Sequence, residues 1–393
     1  MYSVLASAVN HPDTLNRYYG LFNRRILRAV AESGVDVDVV SPRPFAPPIG
    51  PYSAYASLPQ TEAWGAYTVH HPRFLYLLPK RFFYGLAGES FSRRVPPYLD
   101  RELDVPDVVH ACHVYLDGYG MLPYVREHEL PLFVVAHGTI LNTYETLPRA
   151  VRRNVRETLD EATGVLCVSN ALADRARELT DSDTVSTVPL GADPDRFPVG
   201  RREQIRRELD IDEDATVVLF VGQFTEAKGV REILEVLPRI DDPDVTFVFV
   251  GHGGGLSDEL RDTLATAGRS PRLVFDGLPP LALRRWFAIA DLLWLPSHTE
   301  GRPTVIYEAM ASETAVLASS VGGVPEQVVD GETGVLVGPR DPDGLEAGLR
   351  SLLGDPTRLR EMGVRGKQRL LERGWTWDEH AKRVRKLHRE ALE

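Results

Sequence analysis

The chain has 393 residues, 43% hydrophobic and 26% charged, the balance of a soluble globular protein long enough for two domains. Its net charge of −11 leaves no excess of lysine and arginine to neutralise phosphates, so nucleic acid is not expected as the main partner. No apolar run approaches the ~18 residues of a membrane helix, no signal-peptide pattern opens the chain, and Cys112 and Cys167 provide neither a disulfide framework nor metal-ligand spacing. The expected location is the cytoplasm.

Short apolar runs alternate with helical patterns, which argues for parallel sheets wrapped by helices. In the first half, strands are predicted at Val4–Ala8, Val35–Val40, Val108–Ala111, Leu132–Ala136, Val165–Val168 and Val185–Pro189. In the second half they are predicted at Val217–Val221, Thr246–Val250, Leu273–Phe275, Leu292–Leu295, Val316–Ala318 and Val335–Val337. Two such sets predict an α/β protein of two Rossmann-like, doubly wound domains. The polar stretch Asp193–Asp214 separates them, giving an N-terminal domain over 1–195 and a C-terminal domain over 196–373. Residues 374–393 open with Gly374-Trp-Thr-Trp-Asp378 and continue as a charged helix.

Doubly wound domains bind ligands at the carboxyl ends of their strands. The residues just after predicted strands are therefore candidates: His137-Gly138, Ser169-Asn170, Gly222, Gly251, and His298 with Glu300. The richest segment is Ser297-His-Thr-Glu-Gly-Arg-Pro-Thr-Val-Ile-Tyr-Glu-Ala-Met-Ala311. It follows the buried strand DLLWL and leads into a helix predicted over Pro303–Ser312, with Pro303 at the first helical position. The N–H groups of Thr304 and Val305 then face outward beside a partial positive charge suited to phosphate. Glu300 and Glu308 are eight residues apart, a rotation of roughly 80° on a helix, so both carboxylates are expected on one side. Such spacing suits a ligand with two polyhydroxylated parts joined by phosphate, as in a nucleotide sugar.

Glu-x7-Glu followed by Ala-Met-Ala and Gly322-Gly323-Val-Pro325-Glu326 resembles the signature of glycosyltransferase family 4, whose members are retaining enzymes of the GT-B fold. The likeness extends through Val328–Val337 and back through Val221-Gly-Gln-Phe-Thr-Glu-Ala-Lys228-Gly229. It implies two domains facing a cleft, with the last helix crossing back onto the N-terminal domain and Trp375 and Trp377 as anchors. An ordinary cap on the second domain's core is the alternative for that helix.

The resemblance also implies roles. Lys228 meets the donor diphosphate and stabilises charge on the departing nucleoside diphosphate. Glu308 accepts hydrogen bonds from the two ribose hydroxyls, Glu300 faces the transferred sugar, and His137 contacts that sugar as an orienting group. Gly222, Gln223, Gly251, Arg302, Pro303, Thr304 and Val305 complete the donor side, and Gly20 and His113 are placed on the acceptor side. Family members carry an arginine where this chain has Gln223; Arg302 is the candidate replacement for that charge. No cofactor and no metal site are expected. The Asp-x-Asp matches, such as Asp193/Asp195 and Asp242/Asp244, are what chance gives among 56 acidic residues. His110-Ala-Cys112-His113 spreads over both faces of a strand. The Gly251–Gly255 loop lacks the dinucleotide-binding register.

Residues 70–98 hold Arg73, Lys80, Arg81, Arg93 and Arg94 among Phe74, Tyr76, Phe82, Phe83, Tyr84 and Phe91. This island reads either as a peripheral contact with anionic lipid or a lipid-linked acceptor, or as an amphipathic helix packed on its domain. The expected partners are a nucleotide-sugar donor and a glycan or lipid-linked acceptor. Two rival readings share the architecture, a nucleotide-sugar epimerase and a non-catalytic nucleotide-sugar-binding scaffold.

Overall fold

The computed structural model describes residues 2–393 except 16, 18, 19, 46–52, 76–83, 252 and 267–271. The chain divides into two compact units, Met1–Leu190 with Trp377–Glu393, and Gly191–Thr376.

The first unit carries strands β1 (Ser3–Ser7), β2 (Asp36–Val40), β3 (Arg43–Pro44), β4 (Thr61–Ala63), β5 (Thr68–His70), β6 (Arg73–Phe74), β7 (Val108–Ala111), β8 (Leu132–Ala136), β9 (Gly164–Cys167) and β10 (Val185–Thr187). Eight of them form one sheet in the order β10-β9-β8-β7-β1-β2-β5-β4. Every pairing in it is parallel except β4 with β5. The short β3 and β6 pair with each other.

The second unit carries β11 (Thr216–Val221), β12 (Val245–Gly251), β13 (Arg272–Asp276), β14 (Leu292–Leu295), β15 (Ala315–Ser319) and β16 (Gly334–Val337). They form a wholly parallel sheet in the order β13-β12-β11-β14-β15-β16. Helices cover both faces of such a sheet, so its strands are apolar throughout instead of alternating. All seven residues of β12 (VTFVFVG) are buried accordingly. Phe220, Phe247, Phe249 and Trp294 form the centre of this core, and truncating any of them to alanine removes on the order of 3–5 kcal/mol of stability.

All twelve predicted strands are present, with ends shifted by no more than two residues. The unpredicted ones are β3 to β6, two or three residues each, too short to show a period. Strand order reverses between β1 and β7 in one sheet and between β11 and β14 in the other. In open sheets of this kind ligands bind at the carboxyl edge beside such switch points.

The terminal helix, Trp377–Leu392, folds with the first unit and packs on the helix Leu21–Glu32. Arg385 Nη1 donates to the Ser33 carbonyl at 2.6 Å. His388 lies fully buried between Tyr2 Oη (3.2 Å) and His110 Nδ1 (3.2 Å), with the Phe133 ring 4.7 Å from its own. Within residues 70–98, Tyr76, Lys80, Arg81, Phe82 and Phe83 lie outside the described residues. Phe74 and Phe91 are core residues in edge-to-face contact at 5.7 Å, so they present no aromatic surface to solvent. Among the described residues no helix is long and apolar enough to cross a membrane.

Burial holds several imidazoles of the first unit neutral. His110 is lowered to about 3, and His11 and His380 to about 4, chiefly by desolvation. In the unfolded chain these groups take up protons near the ordinary value of about 6.5. Between that value and their folded values the unfolded state binds more protons, so stability falls as the pH drops below about 6.5, by at most ~1.4 kcal/mol per pH unit for each histidine. Urea unfolding should therefore give a lower midpoint at pH 5 than at pH 7. A His110→Leu, His388→Leu double variant should show a shallower drop.

Candidate active site

In the second unit, the loops leaving β11 and β14 meet at the switch point. Lys228 lies in the turn after β11 and Glu300 in the loop after β14. The His298 amide donates to the Ala227 carbonyl at 3.0 Å, which ties the two loops together. His298 Nε2 also bonds Glu232 at 2.9 Å. Lys228 Nζ donates to Glu300 Oε1 at 2.6 Å, and the fully buried Ser297 donates its hydroxyl to the same oxygen at 2.7 Å. The carboxylate is 9% exposed and the lysine 30%, so the pair sits at the rim of the unit instead of inside it.

The helix that follows spans Thr304–Ala311. Pro303 is its N-cap, with φ −65° and ψ 124°, and not the first helical residue the sequence implied. Its carbonyl accepts from the Ile306 amide at 3.3 Å, as an N-cap carbonyl does. Thr304 and Val305 thus occupy the first turn, where helical geometry supplies their N–H groups with no intrahelical acceptor. Glu300 lies ahead of the helix, so helical rotation does not set its direction; Ser297 and Lys228 do. Glu308, 7% exposed, lies in the second turn.

The Gly322-Gly323-Val-Pro-Glu segment supports this loop from beneath. Gly322 has φ +51°, and a Cβ there would stand 2.0 Å from the Glu300 carbonyl oxygen. The Gly323 amide donates to the Gly301 carbonyl at 2.9 Å, and Gln327 Nε2 to the Pro303 carbonyl at 3.2 Å. On the other flank, the Gly222 amide bonds the Val250 carbonyl at 3.0 Å and the Gly277 amide bonds the Gly251 carbonyl at 2.7 Å. The glycine loop after β12 is anchored by the Phe224 amide on the Gly253 carbonyl at 3.2 Å. Gln223 is exposed, and His252 lies outside the described residues.

Arg302 departs from expectation. Its side chain is 2% exposed and pairs with Glu326 at 2.6 Å. It also donates to the Tyr307 hydroxyl and lies 4.9 Å over the Trp375 ring, whose contacts include Arg369 at 5.3 Å. A guanidinium so engaged does not supply the charge missing at Gln223. Instead it braces the loop that carries Glu300. Sequence spacing gave no sign of this, because Trp375 and Glu326 are distant along the chain.

In the first unit, His137 follows β8 and packs against Phe22 (4.7 Å) and His113 (5.4 Å). Desolvation, then the neighbouring His113, His380 and His110, hold its pKa well below the ordinary value. A bond to the Cys112 carbonyl opposes that shift, and the enclosed Nε2 has no hydrogen-bond partner among the described residues. Gly20 has φ +66°, and a Cβ there would overlap the Asn10 carbonyl at 1.4 Å, so glycine lets the loop after β1 close on the first helix. His113 follows β7 and bonds Asp117 at 2.7 Å; sequence reading missed Asp117, although its place four residues after a candidate histidine was a usable signal.

Among the described residues, the only group spaced to hold a metal is Asp100, Glu127 and His128. It lies at the ends of helices that lead into β7 and β8, the edge opposite the strand carboxyl ends. Replacing Arg302 with alanine should therefore act first on stability. Losing the buried guanidinium and its pair with Glu326 should lower the denaturant midpoint by on the order of 2–4 kcal/mol of stability, and adding Gln223→Arg should not restore it.

Residues 201–369 match the family profile described as glycosyl transferases group 1, and residues 21–196 match that of glycosyltransferase family 4. The chain is 33% identical to a D-inositol 3-phosphate glycosyltransferase of Nocardia farcinica, over 77% of this chain and 68% of that one. It is 28% identical to the putative teichuronic acid biosynthesis glycosyltransferase TuaC of Bacillus subtilis, over 80% of each. Among solved structures, sucrose-phosphate synthase from Thermosynechococcus elongatus superimposes with a TM-score of 0.82 at 21% identity, covering 100% of this chain and 99% of that one. HepE of Anabaena, solved with UDP-glucose, gives 0.73 at 17%, covering 98% and 99%. These last two are likenesses of fold. With both halves matched by family profiles and a relative above 30% identity aligned over most of its length, the chain belongs to the group 1 glycosyltransferases of family 4 and has their GT-B fold.

Proposed function

We propose that this glycosyltransferase is a retaining hexosyltransferase that takes its sugar from a nucleotide diphosphate and passes it to an alcohol, in glycan, glycolipid or polysaccharide assembly. The observation that carries this reading is the Lys228–Glu300 pair held over Ser297 at the β11/β14 switch point, next to a helix start that offers the Thr304 and Val305 amides.

A diphosphate arriving at that helix start competes with Glu300 for Lys228. Lys228 then exchanges its carboxylate for phosphate and releases Glu300 to accept hydrogen bonds from hydroxyls of the transferred sugar. Glu308 receives the ribose diol. In the transfer step, the bond from the anomeric carbon to the phosphate oxygen breaks and a bond from the acceptor oxygen forms on the same face. The acceptor proton moves to the departing phosphate. Lys228 and the helix amides stabilise the charge that develops there, and this preorganised electrostatic term is the protein's main contribution. His137, held neutral by burial, is suited to a hydrogen bond with a sugar hydroxyl and poorly suited to act as a base at neutral pH. The UDP and UDP-glucose complexes of HepE support a nucleotide-sugar donor for the fold.

Thermal unfolding with UDP, GDP, ADP and their sugar conjugates, with and without EDTA, tests the reading. A ligand at ~100 times its dissociation constant adds about 2.7 kcal/mol of stability. One nucleotide should raise the midpoint regardless of EDTA, and the rise should vanish in Lys228→Ala and Glu308→Ala. A folded protein that responds to none of them would refute it.

A further inference from the structure

Asp100, Glu127 and His128 have no part in the transfer chemistry, since they stand at the amino edge of the first sheet. Asp100 lies in the last turn of the helix Pro96–Glu102, and Glu127 and His128 end the helix Tyr119–His128. One ligand-capable atom of each lies within 4.8 Å of the other two. His128 Nε2 already donates to Asp100 Oδ1 at 2.8 Å.

Charge here is unbalanced. Both carboxylates sit at helix carboxyl ends, where the backbone dipole disfavours negative charge and favours a cation. The arginines next to them in sequence are committed elsewhere. Arg101 pairs with Glu102 at 2.6 Å, and Arg126 pairs with Glu157 and Glu161 of the helix Arg149–Glu161. Glu127 forms no ion pair among the described residues.

A second observation points to the same place. Tyr124, one turn back on the helix that carries Glu127 and His128, is wholly buried, and its hydroxyl has no hydrogen-bond partner among the described residues. Its ring lies 4.5 Å from the His128 ring. Burial, then the carboxylates of Asp100 and Glu127, push its pKa up to about 12, so the charges that reach the hydroxyl are those of this trio. A buried hydroxyl without a partner is costly, and phenylalanine would meet the packing need alone.

We propose that Asp100, Glu127 and His128 bind a divalent transition-metal ion, Zn²⁺ by the chemistry of the set, with a water in the fourth position donating to Tyr124 Oη. One imidazole and two carboxylates suit zinc, whereas calcium and magnesium take oxygen ligands alone. His128 contributes Nε2, whose proton passes to solvent, and each carboxylate contributes one oxygen. Ligands about 2.1 Å from a tetrahedral ion stand about 3.4 Å apart, so the trio closes by rotation of the exposed Glu127 side chain. The ion clasps the two helices that lead into β7 and β8. Sequence spacing carried no signal for it, because Asp100 is distant along the chain and a Glu-His pair alone is no metal motif.

The test uses full-length protein stripped with EDTA and desalted, then titrated with ZnCl2 against a chromophoric chelator, with Co²⁺ in parallel. Wild type should bind one ion more than His128→Gln, its Co²⁺ form should show the visible absorption of a tetrahedral site, and Zn²⁺ should raise the melting midpoint. Tyr124→Phe removes a hydroxyl that is unpartnered without the ion, so the metal-free midpoint should hold or rise while Zn²⁺ binds about tenfold more weakly. His128→Gln and Asp100→Asn, at side chains 24% and 36% exposed, should each cost more affinity than that. Equal stoichiometry and affinity in wild type and His128→Gln would mean an adventitious ion only and would overturn the proposal. So would no uptake at millimolar Zn²⁺, or a preference for Mg²⁺ or Ca²⁺. The nucleotide-induced rise in midpoint should be the same in all three variants, so the clasp and the transferase reading stand or fall separately.

Discussion

Parallel strand pairing is the constraint from which the rest of this molecule follows. A parallel neighbour is reached only by a crossover, so each strand's outgoing loop emerges at one edge of its sheet. Where strand order reverses, the two central strands are neighbours whose loops leave side by side at that edge. In the second unit this places the loops of Lys228 and Glu300 side by side. In the first it places the loops after β1 and β7 at a cavity lined by Asn10 and His113.

Much of this was legible because fully buried parallel strands are conspicuous as continuous apolar runs, VTFVFV and LLWL being examples. The loop around Glu300 was legible because acids, a proline and small residues cluster between such a strand and a helix. What escaped was tertiary. The two- and three-residue strands at 43–74 carry no period. The inward turn of Arg302 depends on an aromatic ring and a carboxylate from other elements, Trp375 and Glu326. Asp117 owes its burial to a backbone conformation at Leu116 that no local propensity favours. Pro303 stands one place earlier than expected because its own carbonyl starts the helical bonding.

Electrostatics differ between the units. At the second sheet's switch point one charged pair, Lys228 with Glu300, meets at the rim, while Arg302 beside it is buried against Glu326. Near the first, imidazoles are buried and neutral, and the buried carboxylate Asp117 is satisfied by three donors. A rim charge pair can exchange partners with an ionic ligand at modest cost, whereas a buried neutral group is suited to hydroxyls.

The first unit is discontinuous in sequence: Trp377–Glu393 completes what Met1–Leu190 begins. His388 covers His110 and Phe133, both part of strands made long before it. During synthesis the whole second unit emerges between these partners. The N-terminal sheet therefore spends the translation of Gly191–Thr376 with one flank uncovered, and the usual order, in which the N-terminal domain finishes first, is inverted here.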